Sequence, residues 1–266
     1  MIEKKEEKNK QSFDLAQLKK VSDDIITKLA EGQEVKNAVP LEKKRGNRKA
    51  VASDSLDDFL SNLSAGALAK NTEYWDSLTI KNHFECFQRW VFAICSVHTT
   101  WEMNVRGYNH LMSDLSWMLS KEGLEKVIKT SGLGMYHRRN RGLWELIDGF
   151  RSNPDEFYKQ DNETWVEARN RLVGRIFGLG YAKTTFALTL SFPTQAQIVC
   201  LDVHILRFMG HDKDGTPNKA FYLEMEQKWL KTCAKYKINP AVAREMYWDR
   251  VQHKRSPRYW SYCLEA

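Results

Sequence analysis

A glycine turn and two charged residues after it are the strongest candidates for chemistry in this chain of 266 residues. The turn is Gly178-Leu179-Gly180, and Lys183 and Asp202 follow it. Glycine adopts backbone angles that residues with a Cβ resist, and a helix that begins after such a turn presents free N–H groups and a positive dipole end. This arrangement can grip a phosphate without a basic side chain. Lys183 and Asp202 are therefore either ordinary surface charges or a catalytic pair positioned next to that turn.

Two helices must hold the turn, and hydrophobic periodicity places them at residues 163–177 and 182–191. Together they predict a helix-hairpin-helix motif over about residues 165–192. The apolar residues predicted to share one face of the first helix are Trp165, Ala168, Leu172 and Ile176.

The remainder of the chain from residue 53 to 266 is predicted to be one helical domain, with no alternating strand pattern and no internal repeat. The other predicted helices cover residues 84–97, 99–112, 122–133, 141–150, 223–236 and 240–251. The fold class is therefore all-α.

Residues 1–52 differ from the rest in composition, since they are poor in aromatics and rich in Lys, Glu, Gln and Asn. This composition predicts a flexible, charged N-terminal extension. Residues 1–50 alone carry a net charge of +4, out of +7 for the whole chain. Binding to nucleic acid must therefore be argued from local features and not from the net charge.

The composition argues against several cofactors and against a membrane location. Five scattered cysteines without a CxxC pair disfavour a disulfide framework, a zinc ribbon and an iron–sulfur cluster. Residues 212–218 lack the later glutamate of a calcium loop, so we predict no metal site there. We predict no cofactor, with a monovalent cation at the hairpin as the one option. The chain has no apolar run of about 20 residues and no signal peptide, which predicts a cytoplasmic protein.

The hairpin and its surroundings resemble the helix-hairpin-helix superfamily of DNA glycosylases, which includes endonuclease III and 8-oxoguanine glycosylase. In that superfamily a Gly-hydrophobic-Gly turn precedes a lysine, an apolar helix and a motif of Val-Asp-(Thr/Val)-His, two hydrophobic residues and Arg. Residues 201–207 (LDVHILR) match that motif here. Residues 94–105 and 125–143 are similar to two upstream segments of endonuclease III, in the same order. The resemblance implies a two-lobed helical fold that flips a nucleotide from DNA into the cleft between its lobes.

The same resemblance implies roles for the two charged residues. Asp202 is expected at a helix N-terminus facing the flipped nucleotide, where it stabilises positive charge at the sugar C1′ or orients a nucleophile. A helix cap is compatible with that role. Lys183 comes one residue later than the superfamily's lysine, whose place Ala182 takes. One residue turns a helix by about 100°, so the Lys183 amine could point away from the pocket. Lys183 could therefore act as a Schiff-base nucleophile or contact a phosphate, and the displacement favours the absence of a covalent adduct.

Further residues are expected to hold the DNA. Those predicted to bind DNA are Gly178, Leu179, Gly180, Tyr181, His98, Arg138 and Arg139. Those predicted to form the base pocket are Thr99, Thr100 and Trp101. His98 aligns with the segment that enters the space left by the flipped base, and the two arginines belong to a basic run that can contact phosphates. Each also has a plainer interpretation, as a bonded histidine, a packed aromatic or a solvated basic face.

Three functions remain open at this stage, all with DNA as the partner and a monomer as the expected state. The first is an enzyme that cleaves the N-glycosidic bond of a modified base in double-stranded DNA. The second is a transferase or pyrophosphorylase of bacteriophage thymine hypermodification, acting in a bacterial host and kept open by the Ala182-Lys183 register and the missing cysteine cluster. The third is a non-catalytic DNA-binding module, which would have no use for Asp202.

Overall fold

The computed structural model describes residues 55–211 and 217–251. All regular secondary structure in these two ranges is helical, which confirms the predicted all-α fold class. None of the described helices is both long and apolar enough to cross a membrane. The prediction of a flexible extension over residues 1–52, and most of the segment 212–218, lie outside the described residues.

The α-helices of the described ranges follow one another with short connections. They are α1 Leu56–Ser61, α2 Ala65–Ser77, α3 His83–Cys95, α4 Trp101–Met112, α5 Lys121–Thr130, α6 Tyr136–Ser152, α7 Trp165–Leu172, α8 Tyr181–Ser191, α9 Val203–Phe208, α10 Lys219–Tyr236 and α11 Pro240–Val251. Two 3₁₀ helices, Leu115–Leu119 and Pro154–Phe157, follow α4 and α6. Polar caps start many of these helices, because a side-chain oxygen satisfies N–H groups that the first turn leaves free. Those caps include Ser64, Asn82, Thr100, Ser120 and Asn218.

The first helix of the hairpin is shorter than its periodicity predicts. Thr164 and Glu167 form a capping box at its start, but α7 ends at Leu172. Gly174 then takes a left-handed φ of 80°, which reverses the chain. Ile176 is therefore not on the face of α7 as predicted; it is buried within the turn that joins α7 to α8.

Two hydrophobic clusters form the core and confirm the two-lobed arrangement. The larger one surrounds α3, which is buried on almost every side. Aromatic residues in it include Trp75, Phe87, Trp90, Phe92, Trp117 and Phe150. The smaller one joins α1, α9, α10 and α11. Its members include Phe59, Leu201, Ile205, Leu206, Tyr222 and Trp229.

A fully buried ion pair connects the hairpin with α10. The Arg169 guanidinium donates to both carboxylate oxygens of Glu226, at 3.0 and 2.7 Å. The same guanidinium lies 4.8 Å from the centre of the Tyr181 ring, at the start of α8. Removing one member of such a pair costs about 3–5 kcal/mol, because the other charge stays buried without its partner. This pair therefore fixes the hairpin relative to α10.

Candidate active site

A cleft of about 1020 Å³ opens between the two hydrophobic clusters. Its walls come from the connection between α3 and α4, the turn between α7 and α8, the first turns of α8 and α9, and α11. The predicted site residues on these walls are Asp202, Lys183, Gly178, Leu179, Gly180, Tyr181, His98, Arg138, Thr99, Thr100 and Trp101. Residues from four separate stretches of sequence thus meet at one cavity large enough to take a base.

Asp202 is the N-cap of α9, and both of its carboxylate oxygens have partners. Oδ1 accepts hydrogen bonds from the backbone N–H groups of His204 and Ile205, at 2.9 and 3.0 Å. Oδ2 accepts from the Arg244 guanidinium of α11, at 2.5 Å. The cap of α9 and the ion pair with Arg244 therefore use different oxygens of the carboxylate.

The surroundings of Asp202 keep its carboxylate ionised. Burial is the largest influence and by itself raises the pKa of the carboxyl group. Arg244, the Ile205 N–H, His204 and Lys183 act in the opposite direction, and together they hold the pKa below its ordinary value. Asp202 is therefore a negative charge at the cleft wall at neutral pH.

Lys183 lies in the first turn of α8, and its position one residue late in the motif does not remove it from the cleft wall. Its Nζ atom is 5.4 Å from the centre of the Phe186 ring. Burial is the largest influence on this amine and lowers its pKa, Arg244 lowers it further, and Cys200 and Asp202 only partly oppose them. A lysine with a lowered pKa is uncharged more often than an ordinary one, and the uncharged amine is the nucleophilic form.

The hairpin presents backbone and buries its apolar side chain. Gly178 is exposed with a left-handed φ of 85°, a conformation that favours glycine. Leu179, between the two glycines, is buried in the larger cluster and anchors the turn. Gly180 is the exposed N-cap of α8, and no side chain caps that helix in the structure described. The first N–H groups of α8 are thus left for a ligand at the cleft.

We expect Gly180→Asp to weaken binding to duplex DNA by about tenfold or more at low salt, since it adds negative charge where a phosphate would bind. A Cβ at Gly180 meets no atom within 4 Å, so the added bulk does not disturb the fold. Fluorescence anisotropy with a labelled duplex measures the effect. Gly180→Ala is the matched control and should bind like the unchanged protein; equal affinity for Gly180→Asp would remove the hairpin from the interface.

The connection between α3 and α4 carries His98 at its tip. His98 is exposed and has a left-handed φ of 52°, a strained conformation for this residue. Thr99 next to it donates to the carbonyl of Cys95 at 3.0 Å, and Thr100 caps α4 through Met103 N–H at 3.2 Å. Trp101 is half-buried and packs against the larger cluster. The loop is thus held from both sides while His98 projects from it.

The two arginines predicted to contact phosphates differ in their surroundings. Arg138 is exposed at the cleft, 5.8 Å from the centre of the Phe177 ring. Arg139 is buried and donates to the carbonyls of Leu133 and Cys95 at 2.8 and 3.3 Å. It also donates to the carbonyls of Gly134 and Val97. Because this guanidinium serves backbone carbonyls in the interior, the predicted phosphate contact of Arg139 is wrong in this structure.

Several residues of the cleft wall were not predicted from the sequence. They include Phe92, Asn104, Phe186, Tyr222, Arg244 and Trp248. Most are apolar or aromatic residues on helices, whose types also suit an ordinary core. Asn104 and Arg244 are the exceptions, and no local pattern in α11 indicates that Arg244 reaches a residue 42 positions earlier in the chain.

Residues 68–238 match a protein-family model described as 8-oxoguanine DNA glycosylase, with the helix-hairpin-helix fold. The match includes the hairpin, Lys183 and Asp202, and it spans more than half of the chain. The chain belongs to the 8-oxoguanine DNA glycosylase family. A comparison with curated proteins gave no match.

Solved structures of 8-oxoguanine DNA glycosylases share the fold. The enzyme of Methanocaldococcus jannaschii aligns with a TM-score of 0.61 at 20% identity, over 75% of this chain and 92% of that one. The enzyme of Thermotoga maritima gives 0.60 at 17% identity, over 75% and 98%. The M. jannaschii glycosylase/lyase bound to a 15mer DNA containing 8-oxoguanine gives 0.62 at 22% identity, also over 75% and 98%. Neither the family match nor these neighbours support the transferase alternative.

Proposed function

We propose that this protein is a DNA glycosylase that flips a damaged base out of duplex DNA and cleaves its N-glycosidic bond, with 8-oxoguanine as the first candidate base. The observation that carries the proposal is the pairing of an ionised carboxylate, Asp202, with an amine of lowered pKa, Lys183, on the wall of one cleft. Groups whose environments shift them in this way are typical of a catalytic centre. Membership of the family and the DNA complex of the M. jannaschii neighbour support the choice of DNA.

Asp202 supplies the electrostatic part of the reaction. As the bond between the sugar C1′ and the base breaks, positive charge develops on the sugar ring. A fixed carboxylate stabilises that charge more than it stabilises the neutral ground state, and this difference lowers the barrier. The two N–H bonds to Oδ1 and the Arg244 bond to Oδ2 hold the carboxylate in place before the substrate arrives.

Lys183 supplies the nucleophile in the same proposal. Its uncharged amine attacks C1′, so that a bond from Nζ to C1′ forms as the bond to the base breaks. The electron pair of the broken bond leaves with the base, which takes up a proton, and the attacking amine loses one. Opening of the sugar ring then gives a Schiff base, from which a lyase step can follow. The M. jannaschii neighbour is described as a glycosylase/lyase, which supports a role of this kind.

The other residues of the cleft hold the substrate. The α8 N-terminus and Arg138 bind phosphates of the backbone, and His98 fills the place of the extruded base. Thr99, Thr100 and Trp101 border the base pocket. Asn104 is buried on the same wall, and its Oδ1 atom has no hydrogen-bond partner among the described residues. Such an acceptor suits 8-oxoguanine, which carries an N7–H donor where guanine carries an acceptor.

The test is incubation of the protein with duplexes that differ in one base, with released bases identified by mass spectrometry. We expect 8-oxoguanine to be released about 100-fold faster than guanine from otherwise identical duplexes. A duplex without modification and a preparation of Asp202→Asn protein serve as controls. If no duplex of the panel yields a free base, or if mass is added to a strand instead, base excision is the wrong function.

A further inference from the structure

Arg244 contacts the central carboxylate from a helix that follows the family match. The match ends at residue 238, and Arg244 lies on α11 beyond it. Its Nη2 atom is 2.5 Å from Asp202 Oδ2, and the exposed fractions of the two side chains are 6% and 18%. We infer that Arg244 is a positioning residue for Asp202, and that it fixes the plane and the charge of this carboxylate. This inference deepens the proposed function. Only its predicted effect on the rate of base release rests on that function.

The two oxygens of the Asp202 carboxylate are held by different partners. The backbone N–H groups of α9 bind only Oδ1, so they leave the carboxylate free to rotate about the bond to its Cβ. A second partner on Oδ2 removes that rotation. Arg244 is that partner, and a guanidinium does this better than an ammonium because its N–H groups point in fixed directions.

Arg244 also affects the charge of the Asp202 carboxyl group. The charged and titratable groups that act on Asp202 are Lys183 from α8, His204 from α9 and Arg244 from α11. Glu245 pairs with Arg244, and Cys200 lies two residues before Asp202. Burial disfavours the ionised carboxylate, and Arg244 is the strongest of the influences that oppose burial. Without Arg244, only the remaining partners oppose the effect of burial. The pKa of the Asp202 carboxyl group therefore rises, and the group takes up a proton at a higher pH.

Arg244 is itself held in place, and it affects both candidate catalytic groups. Its Nη1 atom binds Glu245 Oε1 at 2.7 Å, and its guanidinium carbon is 5.5 Å from the centre of the Phe186 ring. The Lys183 amine approaches that same ring. The positive charge of Arg244 thus favours the ionised form of Asp202 and disfavours the protonated form of Lys183. One side chain adjusts the aspartate and the lysine toward the forms that the reaction needs.

The test compares Arg244→Met, which keeps an unbranched stem but removes the charge and the hydrogen bonds, with Arg244→Lys, which keeps the charge. Titration of the ¹³C-labelled aspartate carboxyl groups by NMR, with Asp202 assigned through Asp202→Asn, measures the Asp202 pKa without any substrate. We expect a higher pKa in Arg244→Met and partial recovery in Arg244→Lys. The rate of base release under single-turnover conditions should fall about 10- to 100-fold in Arg244→Met. The loss of rate on the acid side of its pH profile should occur at a higher pH than in the unchanged protein. The affinity for DNA should change far less than the rate.

Arg250→Met, an exposed arginine on the same helix, is the matched control and should leave the titration and the rate unchanged. Circular dichroism establishes that each variant is folded, and Arg244→Gln replaces Arg244→Met if the latter is not. A folded, uncharged variant whose Asp202 titrates at the original pH would overturn the inference. Failure of base release in every protein, with the NMR shift present, would instead refute the proposed function and leave the positioning role intact.

Discussion

Asp202→Asn is expected to reduce base release by about 1000-fold while DNA binding holds or tightens. The amide oxygen can still accept the N–H groups of His204 and Ile205, so the cap of α9 persists. The negative charge is lost, and with it the stabilisation of the developing cation. Binding does not suffer, because a carboxylate near the backbone repels phosphates. Single-turnover kinetics and anisotropy titrations measure the two effects separately.

Asp114→Asn provides a matched control for the loss of a capping carboxylate. Asp114 caps the 3₁₀ helix Leu115–Leu119 by accepting Ser116 N–H at 2.9 Å, and it is not part of the cleft wall. It is exposed, so the substitution should leave both rate and affinity close to those of the unchanged protein. A fully active Asp202→Asn protein would reduce Asp202 to a helix cap.

The second large effect is expected at Lys183. Borohydride should trap a covalent adduct between the protein and a substrate duplex, and Lys183→Gln should abolish it, because only the amine can form the Schiff base. The one-residue displacement of Lys183 in the motif favours the absence of an adduct. In the structure, however, Lys183 lines the cleft wall and the pKa of its amine is lowered. Trapping should therefore increase as pH rises through the pKa of Lys183, at a lower pH than an ordinary lysine requires.

Lys228→Gln is the control for this experiment, since Lys228 is exposed on α10 and is not part of the cleft wall. The Lys228→Gln protein should form the trapped adduct to the same extent as the unchanged protein. The competing role predicts a different pattern: no adduct in any variant, and weaker DNA binding with a reduced salt dependence in Lys183→Gln alone. That pattern would make Lys183 a phosphate contact.

Most of the α-helices and their order were predictable from sequence because periodicity and caps are local properties, although no range was predicted for α1 or α2. The start of α4 at Trp101 after the Thr100 cap follows from residues within one turn of each other. The end of α7 was not predictable in this way, since its apolar spacing continues through Ile176. The left-handed Gly174 interrupts the helix there, and nothing in the periodicity distinguishes this glycine from one inside a helix.

The candidate site was predictable where the residues belong to motifs and not where they depend on tertiary contacts. The hairpin and Asp202 carry the superfamily's spacing and Lys183 departs from it by one residue, and all of them lie at the cleft. Neighbouring residues of a helix point about 100° apart, so Arg138 is exposed while the adjacent Arg139 is buried. The contact of Arg244 with Asp202 depends on the path of α11, which no local pattern specifies.

The buried Arg139 has a consequence for the speed with which undamaged DNA is rejected. Its bonds to carbonyls of residues 95 and 97 and of residues 133 and 134 fasten the segment that carries His98 onto the protein interior. A glycosylase meets vast numbers of normal base pairs for each lesion, and a loop that had to become ordered at every encounter would lose conformational entropy each time. Here that entropy is lost once, during folding. Under the proposed function, His98 would probe a base pair from a segment that is already ordered, so that release of undamaged DNA would be fast.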